Sequence, residues 1–251
     1  MPFTPRPEDS MRTLIVTSYN RQLETQYAHG FLDTYQGELD TMLVSEDITQ
    51  SRATHTVALR AHENFLRQNG WREVNTYLQD AVRFCHKPYA IWTAIESVYT
   101  PYEQDGYTGL LWIDADTVFH KPITEQFVQE RLHTDGIMTY MGRPDYHSET
   151  GVLYFNIQNA TTRDYVDTVI ELYNTNEIYT LPETHDSYVW DWVRCRYQRG
   201  KSKRKQQFRD IGINERVPGK HIQAHLFGEY FDHLKGKRKQ LGKSPENKHL
   251  T

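Results

Sequence analysis

Short apolar runs and amphipathic stretches alternate along this chain. Thr13-Leu14-Ile15-Val16-Thr17-Ser18-Tyr19 is apolar at its centre and predicts a first strand. Leu39 to Val44 predicts a second. His55 to Asn69 has helical character and ends at Gly70, a helix stop. Asn75 suits the cap of a helix with Leu78, Ala81, Val82 and Cys85 on one face. Pro88 breaks that pattern, and Ile91, Ala94, Ile95 and Val98 mark a second helix beyond it. The residue before a proline is pushed out of the helical region, so Lys87 is expected at a junction. Gly109 to Phe119 contains an apolar run that ends in Asp114-Ala115-Asp116, and it predicts a buried strand. Gly136 to Tyr140 and Gly151 to Asn156 predict further strands. Val166, Val169, Ile170 and Tyr173 follow i, i+3, i+4, i+7 and predict an amphipathic helix over Thr162 to Tyr173. Pro182 to Arg196 predicts another, with His185 and Asp186 in its first turn. No internal repeat or low-complexity linker interrupts the alternation, which predicts an α/β fold.

The strand that ends in Asp114 and Asp116 carries the first candidate chemistry. In open α/β sheets ligands bind at the carboxyl edge, and this run delivers both aspartates there. Two carboxylates at that edge can hold a divalent cation through hard oxygen ligands. The bare spacing is common by chance and also fits a solvated turn; the strand context is what gives it weight. A second cluster lies near the C-terminus, in Asp232-His233-Leu234-Lys235-Gly236-Lys237-Arg238-Lys239. It contains His-x-x-Gly-x-x-Lys. Imidazole can complete a metal site, glycine permits close backbone approach, and lysine offers a point charge to phosphate. Alone, the segment reads rather as a basic solvated tail. The exit of the first strand, around Thr17, Ser18, Tyr19 and Asn20, offers hydroxyls and an aromatic face to a nucleoside, or serves as an ordinary helix cap. Asp186 stands where a helix dipole favours a carboxylate, so capping competes there with chemistry.

Taken together, these clusters resemble nucleotide-sugar glycosyltransferases of the GT-A fold, over a span from Thr13 to about Lys243. Leu111 to Phe119 resembles that fold's metal-binding Asp-x-Asp segment. His233, Gly236 and Lys239 resemble the closing motif of glycosyltransferase family 8. The resemblance implies a single Rossmann-like domain with a mixed central sheet flanked by helices and a C-terminal metal- and diphosphate-binding segment. It implies Mn²⁺ or Mg²⁺ held by Asp114, Asp116 and His233, with Gly236 and Lys239 meeting the diphosphate. Thr17, Tyr19, Lys87, Asp114 and Gly151 are then expected around a nucleoside diphosphate sugar, a UDP-sugar by the same resemblance. Glu149-Thr150-Gly151 stands where the family has Asn-Ala-Gly, and His185-Asp186-Ser187 stands where it has Asp-Gln-Asp. Only the first aspartate of that second motif is kept, as Asp186, the candidate for the reaction centre. In an inverting enzyme Asp186 is the general base; in a retaining one it positions the donor sugar and stabilises charge at its anomeric carbon.

Composition sets the outer limits. The chain has 251 residues, of which 37% are hydrophobic and 25% charged, which fits one domain over 1–251 with a flexible start at 1–11. Tyrosines number 17 and tryptophans 5, suited to stacking on rings but equally to ordinary cores. No run approaches a membrane span, and the N-terminus lacks an apolar signal core. Cys85 and Cys195 are the two cysteines, which fits a reducing, cytoplasmic setting. Asn159-Ala160-Thr161 matches a glycosylation acceptor that such a setting leaves unused.

The net charge of −4 conceals an asymmetry. Residues 1–193 hold 13 basic and 28 acidic residues, whereas 194–251 hold 16 basic and 5 acidic. The basic C-terminal segment is densest around Lys201, Lys203, Arg204 and Lys205, and it predicts a polyanionic partner or a solvated loop. Small GT-A chains with this kind of ending resemble bacteriophage enzymes that modify hydroxymethylated DNA bases in the host cytoplasm. DNA is therefore the expected acceptor, ahead of lipopolysaccharide or another surface glycan. Two other classes compete. A metal-dependent phosphoesterase or nuclease would use the same acids on phosphate esters. A non-catalytic nucleic-acid-binding protein would use the basic run but leave Asp114 and Asp116 without a role, since acids repel phosphate.

Overall fold

Nine strands and nine α-helices make up the computed structural model over the described residues, which are 11–98, 106–199, 207–212, 226–236 and 238–241. The strands are β1 Thr13–Ser18, β2 Asp40–Ser45, β3 His55–Ala58, β4 Gly109–Ile113, β5 Thr117–Phe119, β6 Met138–Arg143, β7 Tyr146–Asn156, β8 Phe208–Asp210 and β9 Phe231–His233. The helices are α1 Arg21–Leu23, α2 His29–Thr34, α3 Glu63–Asn69, α4 Ala81–Phe84, α5 His86–Val98, α6 Glu125–Arg131, α7 Ala160–Asn174, α8 Asp186–Gln198 and α9 Arg238–Leu241. Seven strands form one sheet in the order β3-β2-β1-β4-β7-β6-β8. The β3-β2-β1-β4 half is parallel, while β7 runs antiparallel to β4 and to β6. The expected mixed α/β sheet flanked by helices is therefore present.

Alternation along the strands explains how both faces are covered. Leu14, Val16, Leu110 and Trp112 enter one core, with α5, α7 and α8 residues such as Ile91, Tyr165 and Trp190. Ile15, Leu111, Ile113 and Val152 enter the other, against Phe31, Phe119, Phe127 and Phe231. A strand buried on both faces must be apolar at consecutive positions, hence the unbroken Leu-Leu-Trp-Ile of β4.

Three local expectations are corrected. His55 to Asn69 is not one helix. His55–Ala58 is strand β3 at the parallel edge, pairing Val57 with Val44, and the helix begins at Glu63. A β-branched Thr-Val pair that finds a ladder outweighs weak helical spacing. Asn75 caps nothing; the Asp80 side chain accepts from the Arg83 N–H at 3.0 Å and starts α4. The expected break between two helices does occur, but at Cys85, the C-cap of α4, rather than at Pro88 itself. Pro88 lies in the first turn of α5, where its missing N–H would have no intrahelical partner. Lys87 is accordingly helical, at the start of α5.

Strand β7 is longer than the expected Gly151 to Asn156. Its first half, Tyr146 to Thr150, is polar, and Ser148, Glu149 and Thr150 are nonetheless buried. Burial of polar groups in a strand requires partners, and those partners belong to the site below.

Candidate active site

The carboxyl ends of β1, β2 and β4 lie at one edge, at Ser18, Ser45 and Ile113. Asp114 follows directly on β4. Its N–H donates to the Gly151 carbonyl at 2.9 Å, so β7 fixes its backbone. Its carboxylate accepts from Trp112 Nε1 at 2.8 Å and contacts Lys87 Nζ at 2.8 Å. Two residues on, the Asp116 carbonyl accepts from the Leu234 N–H at 2.7 Å, and Thr117 pairs with His233 across the short β5-β9 ladder. That ladder carries the C-terminal segment back to the aspartates.

His233 is 2% exposed, with Nε2 2.8 Å from Asp116 Oδ1 and 3.6 Å from Asp114 Oδ2. Nε2 is buried and makes no contact of hydrogen-bond geometry among the described residues. Ligand atoms of Asp114, Asp116 and His233 all lie within 4.8 Å of one another. Neighbouring ligands at about 2.1 Å from one octahedral ion stand roughly 3 Å apart, and the observed separations bracket that spacing. Two hard carboxylates and one imidazole, whose buried nitrogen is unsatisfied, fit a divalent cation. Burial would raise the Asp116 carboxyl; the His233 and Lys239 charges overcome this and hold it well below the carboxylate range.

Two lysines flank this group. Lys239, on α9, reaches Asp116 Oδ2 at 3.1 Å and stands 3.6 Å from the centre of the Tyr27 ring. The turn before it has Gly236 at φ +59°, and no described residue beyond its chain neighbours comes within 4 Å of where a Cβ would stand. Backbone there is open to a ligand. Lys87 lies between Asp114 and Asp186, 2.6 Å from the latter, and also donates to the Thr150 carbonyl at 3.1 Å. Burial works against its charge, but the two carboxylates outweigh it and push the pKa up.

Asp186 opens α8 without capping it. The cap is His185, whose Nδ1 accepts from the Tyr188 N–H at 3.4 Å. Asp186 instead accepts from the Thr150 hydroxyl at 2.9 Å and pairs with Lys87. Burial raises its pKa, and the Lys87 charge with these hydrogen bonds brings it down to about 2. Glu149, 3% exposed, lies between Lys235 at 2.8 Å and Arg143 at 3.3 Å. It is likewise held at about 2, with burial opposed by Lys235, His233 and Arg143.

A cleft of about 460 Å³ has Asp114, Asp116, Asp186, Lys87, Lys239 and Gly236 in its walls. The sequence reading missed Trp112, Thr150, Lys235 and Ser187, which also line it. No sequence signal singles out Thr150, which ends the polar half of β7 and takes its role from contacts with Asp186 and Lys87. Of the β1 exit, Ser18 lines this cleft. Thr17 is buried, and Tyr19 borders a separate cleft of about 280 Å³ with Glu24, Asp33 and Arg52. Gly151 acts through its carbonyl, as the anchor of Asp114. Lys201, Lys203, Arg204 and Lys205 lie outside the described residues. The neighbouring basic residues are engaged locally: Arg194 pairs with Asp191 at 2.7 Å, Arg196 stacks on Trp192, and Arg209 donates to the His133 carbonyl.

No protein-family model matches this chain, and no curated protein does. Solved structures show distant likenesses. The glycosyltransferase GlyE of Streptococcus pneumoniae TIGR4 aligns at 12% identity with a TM-score of 0.49, covering 80% of this chain and 45% of GlyE. Mouse xyloside xylosyltransferase 1 aligns at 8% identity with a TM-score of 0.46, covering 80% and 84%. The galactosyltransferase LgtC, solved with donor and acceptor sugar analogues, aligns at 8% identity with a TM-score of 0.44, covering 80% and 87%. This chain thus spans less than half the length of GlyE. At such values the chemistry of the site stands on its own residues.

Proposed function

We propose that this chain is a metal-dependent glycosyltransferase of the GT-A type, taking its sugar from a nucleoside diphosphate donor. The observation that carries this reading is the convergence of Asp114, Asp116 and His233 at the sheet's carboxyl edge, with Lys239 and the open Gly236 backbone beside them. Asp114, Asp116 and His233 would hold Mn²⁺ or Mg²⁺. A cation bound there supplies Lewis-acid stabilisation of a leaving diphosphate. Lys239 adds a positive charge on the same side, and the Gly236 turn lets a phosphate approach the main chain. UDP is the nucleotide that the sequence resemblance favours.

Asp186 is the reaction-centre residue in this reading. A carboxylate held at about 2 by a lysine and a hydroxyl is a weak proton acceptor. Its fixed negative charge instead suits donor positioning and stabilisation of a cationic anomeric carbon. That favours the retaining alternative. Lys87 and Thr150 orient it.

The acceptor proposed is a hydroxyl on a polyanion, DNA with hydroxymethylated bases ahead of a surface glycan. Its support is the basic excess of residues 194–251. A donor screen with Mn²⁺, read by mass spectrometry on modified DNA and on glycan acceptors, tests both levels. A hexose mass added to DNA is the expected result. Addition to glycan alone moves the acceptor, and phosphate-ester hydrolysis without sugar transfer overturns the transferase in favour of a phosphoesterase.

A further inference from the structure

Besides the aspartate centre, two more groups of ligating side chains occur among the described residues: His147, Glu183 and His185, and Glu46, His62 and His86. Tautomer decides against the first. His185 Nδ1 accepts from the Tyr188 N–H, so the ring proton sits on Nε2, the atom that faces Glu183 at 2.7 Å. A protonated nitrogen has no lone pair for a metal.

The Glu46 group differs on that point. Glu46 follows the carboxyl end of β2, His62 precedes α3, and His86 opens α5. Glu46 Oε1 is 2.7 Å from His62 Nε2 and 2.9 Å from His86 Nδ1. The two rings lie 4.9 Å apart. The carboxylate contact puts the proton on His62 Nε2, but His62 Nδ1 is buried with no hydrogen-bond partner among the described residues, so the proton can move there and free the Nε2 lone pair for a cation. The His62 side chain is 2% exposed, whereas Glu46 and His86 are 30% and 37% exposed and leave an approach from solvent.

We propose that Glu46, His62 and His86 form a second divalent-cation site of zinc type, independent of the glycosyl-transfer reading. Two imidazoles, one carboxylate and an open fourth position suit Zn²⁺, where the aspartate centre suits harder cations. Ligands about 2.0–2.2 Å from a tetrahedral ion stand roughly 3.3 Å apart, so the group opens by about half an ångström to admit one. Glu46 and His86, both partly exposed, have the freedom to move while buried His62 stays. The ion ties the end of β2 to the first turn of α5. His86 lines the cleft, and Lys87 follows it, so the site positions that wall.

The test uses the full chain carrying Asp116→Asn and His233→Ala, stripped of metal and titrated with Co²⁺ as a spectroscopic stand-in for Zn²⁺. The expected result is one equivalent bound with intense tetrahedral visible absorption, displaced by Zn²⁺. Adding His86→Ala, at an exposed position, should abolish that absorption, and Glu46→Gln should do the same by a second route. Circular dichroism in chelator confirms that each variant is folded. A folded Asp116→Asn/His233→Ala protein without tetrahedral absorption overturns the site. So does absorption that survives both His86→Ala and Glu46→Gln.

Discussion

Asp186 stands in the first turn of α8, where a carboxylate is ordinarily explained by the helix dipole. Its side chain turns instead to Thr150 and Lys87, and His185 takes the cap. Asp186→Asn keeps the shape and removes the charge. Turnover should fall by about two orders of magnitude with little change in donor affinity. Normal turnover with a lower melting temperature would assign the residue to stability alone. Glu149 gives a second test at this scale. Its folded pKa of about 2 lies below its ordinary 4.5, so the unfolded chain binds a proton that the native chain does not. The stabilisation is complete above pH about 4.5 and is lost as pH falls towards 2. Melting temperature measured across that window should fall less steeply in Glu149→Gln; an unchanged slope would mean that the Lys235 and Arg143 contacts contribute no net linkage.

The β5-β9 ladder is what brings the C-terminal segment to the aspartates, and its exit turn depends on Gly236. A non-glycine residue at φ +59° is strained whatever the space around it. Gly236→Ala should cost roughly 1 kcal/mol in denaturant unfolding, and Gly236→Asn less, because Asn tolerates the left-handed region. Equal losses for both would mean that left-handed backbone strain is not what Gly236 relieves. At this scale the sequence was most legible where one signal dominated. The apolar run of β4 and the i, i+3, i+4, i+7 series of α7 gave their elements, because burial on two faces or on one stripe leaves a direct trace. Strand β3 was illegible because its pairing with β2 is a tertiary fact. Asp114, Asp116, His233 and Lys239 could be read because each belongs to a compact local pattern. Glu149, Thr150 and Lys235 could not, because their roles arise from contacts between distant segments.

Across the whole molecule, charge divides the chain into an acidic body and a basic C-terminal portion. If Lys201, Lys203, Arg204 and Lys205 meet a DNA backbone, changing all four to Gln should weaken binding across all sequences. The slope of log affinity against log salt should shrink by roughly 0.9 per lost contact. An unchanged slope would remove DNA from the front rank and advance a glycan acceptor. No helix among the described residues is long and apolar enough to cross a membrane.

The central claim is that Asp114, Asp116 and His233 hold a cation that serves a nucleoside diphosphate. Calorimetric titration of UDP into the protein, with Mn²⁺ and then with excess chelator, addresses it most directly. Binding should require Mn²⁺ in the wild type and should be lost in His233→Ala, whose circular dichroism should match the wild type. UDP binding of equal strength in excess chelator, or undiminished in His233→Ala, would contradict the account.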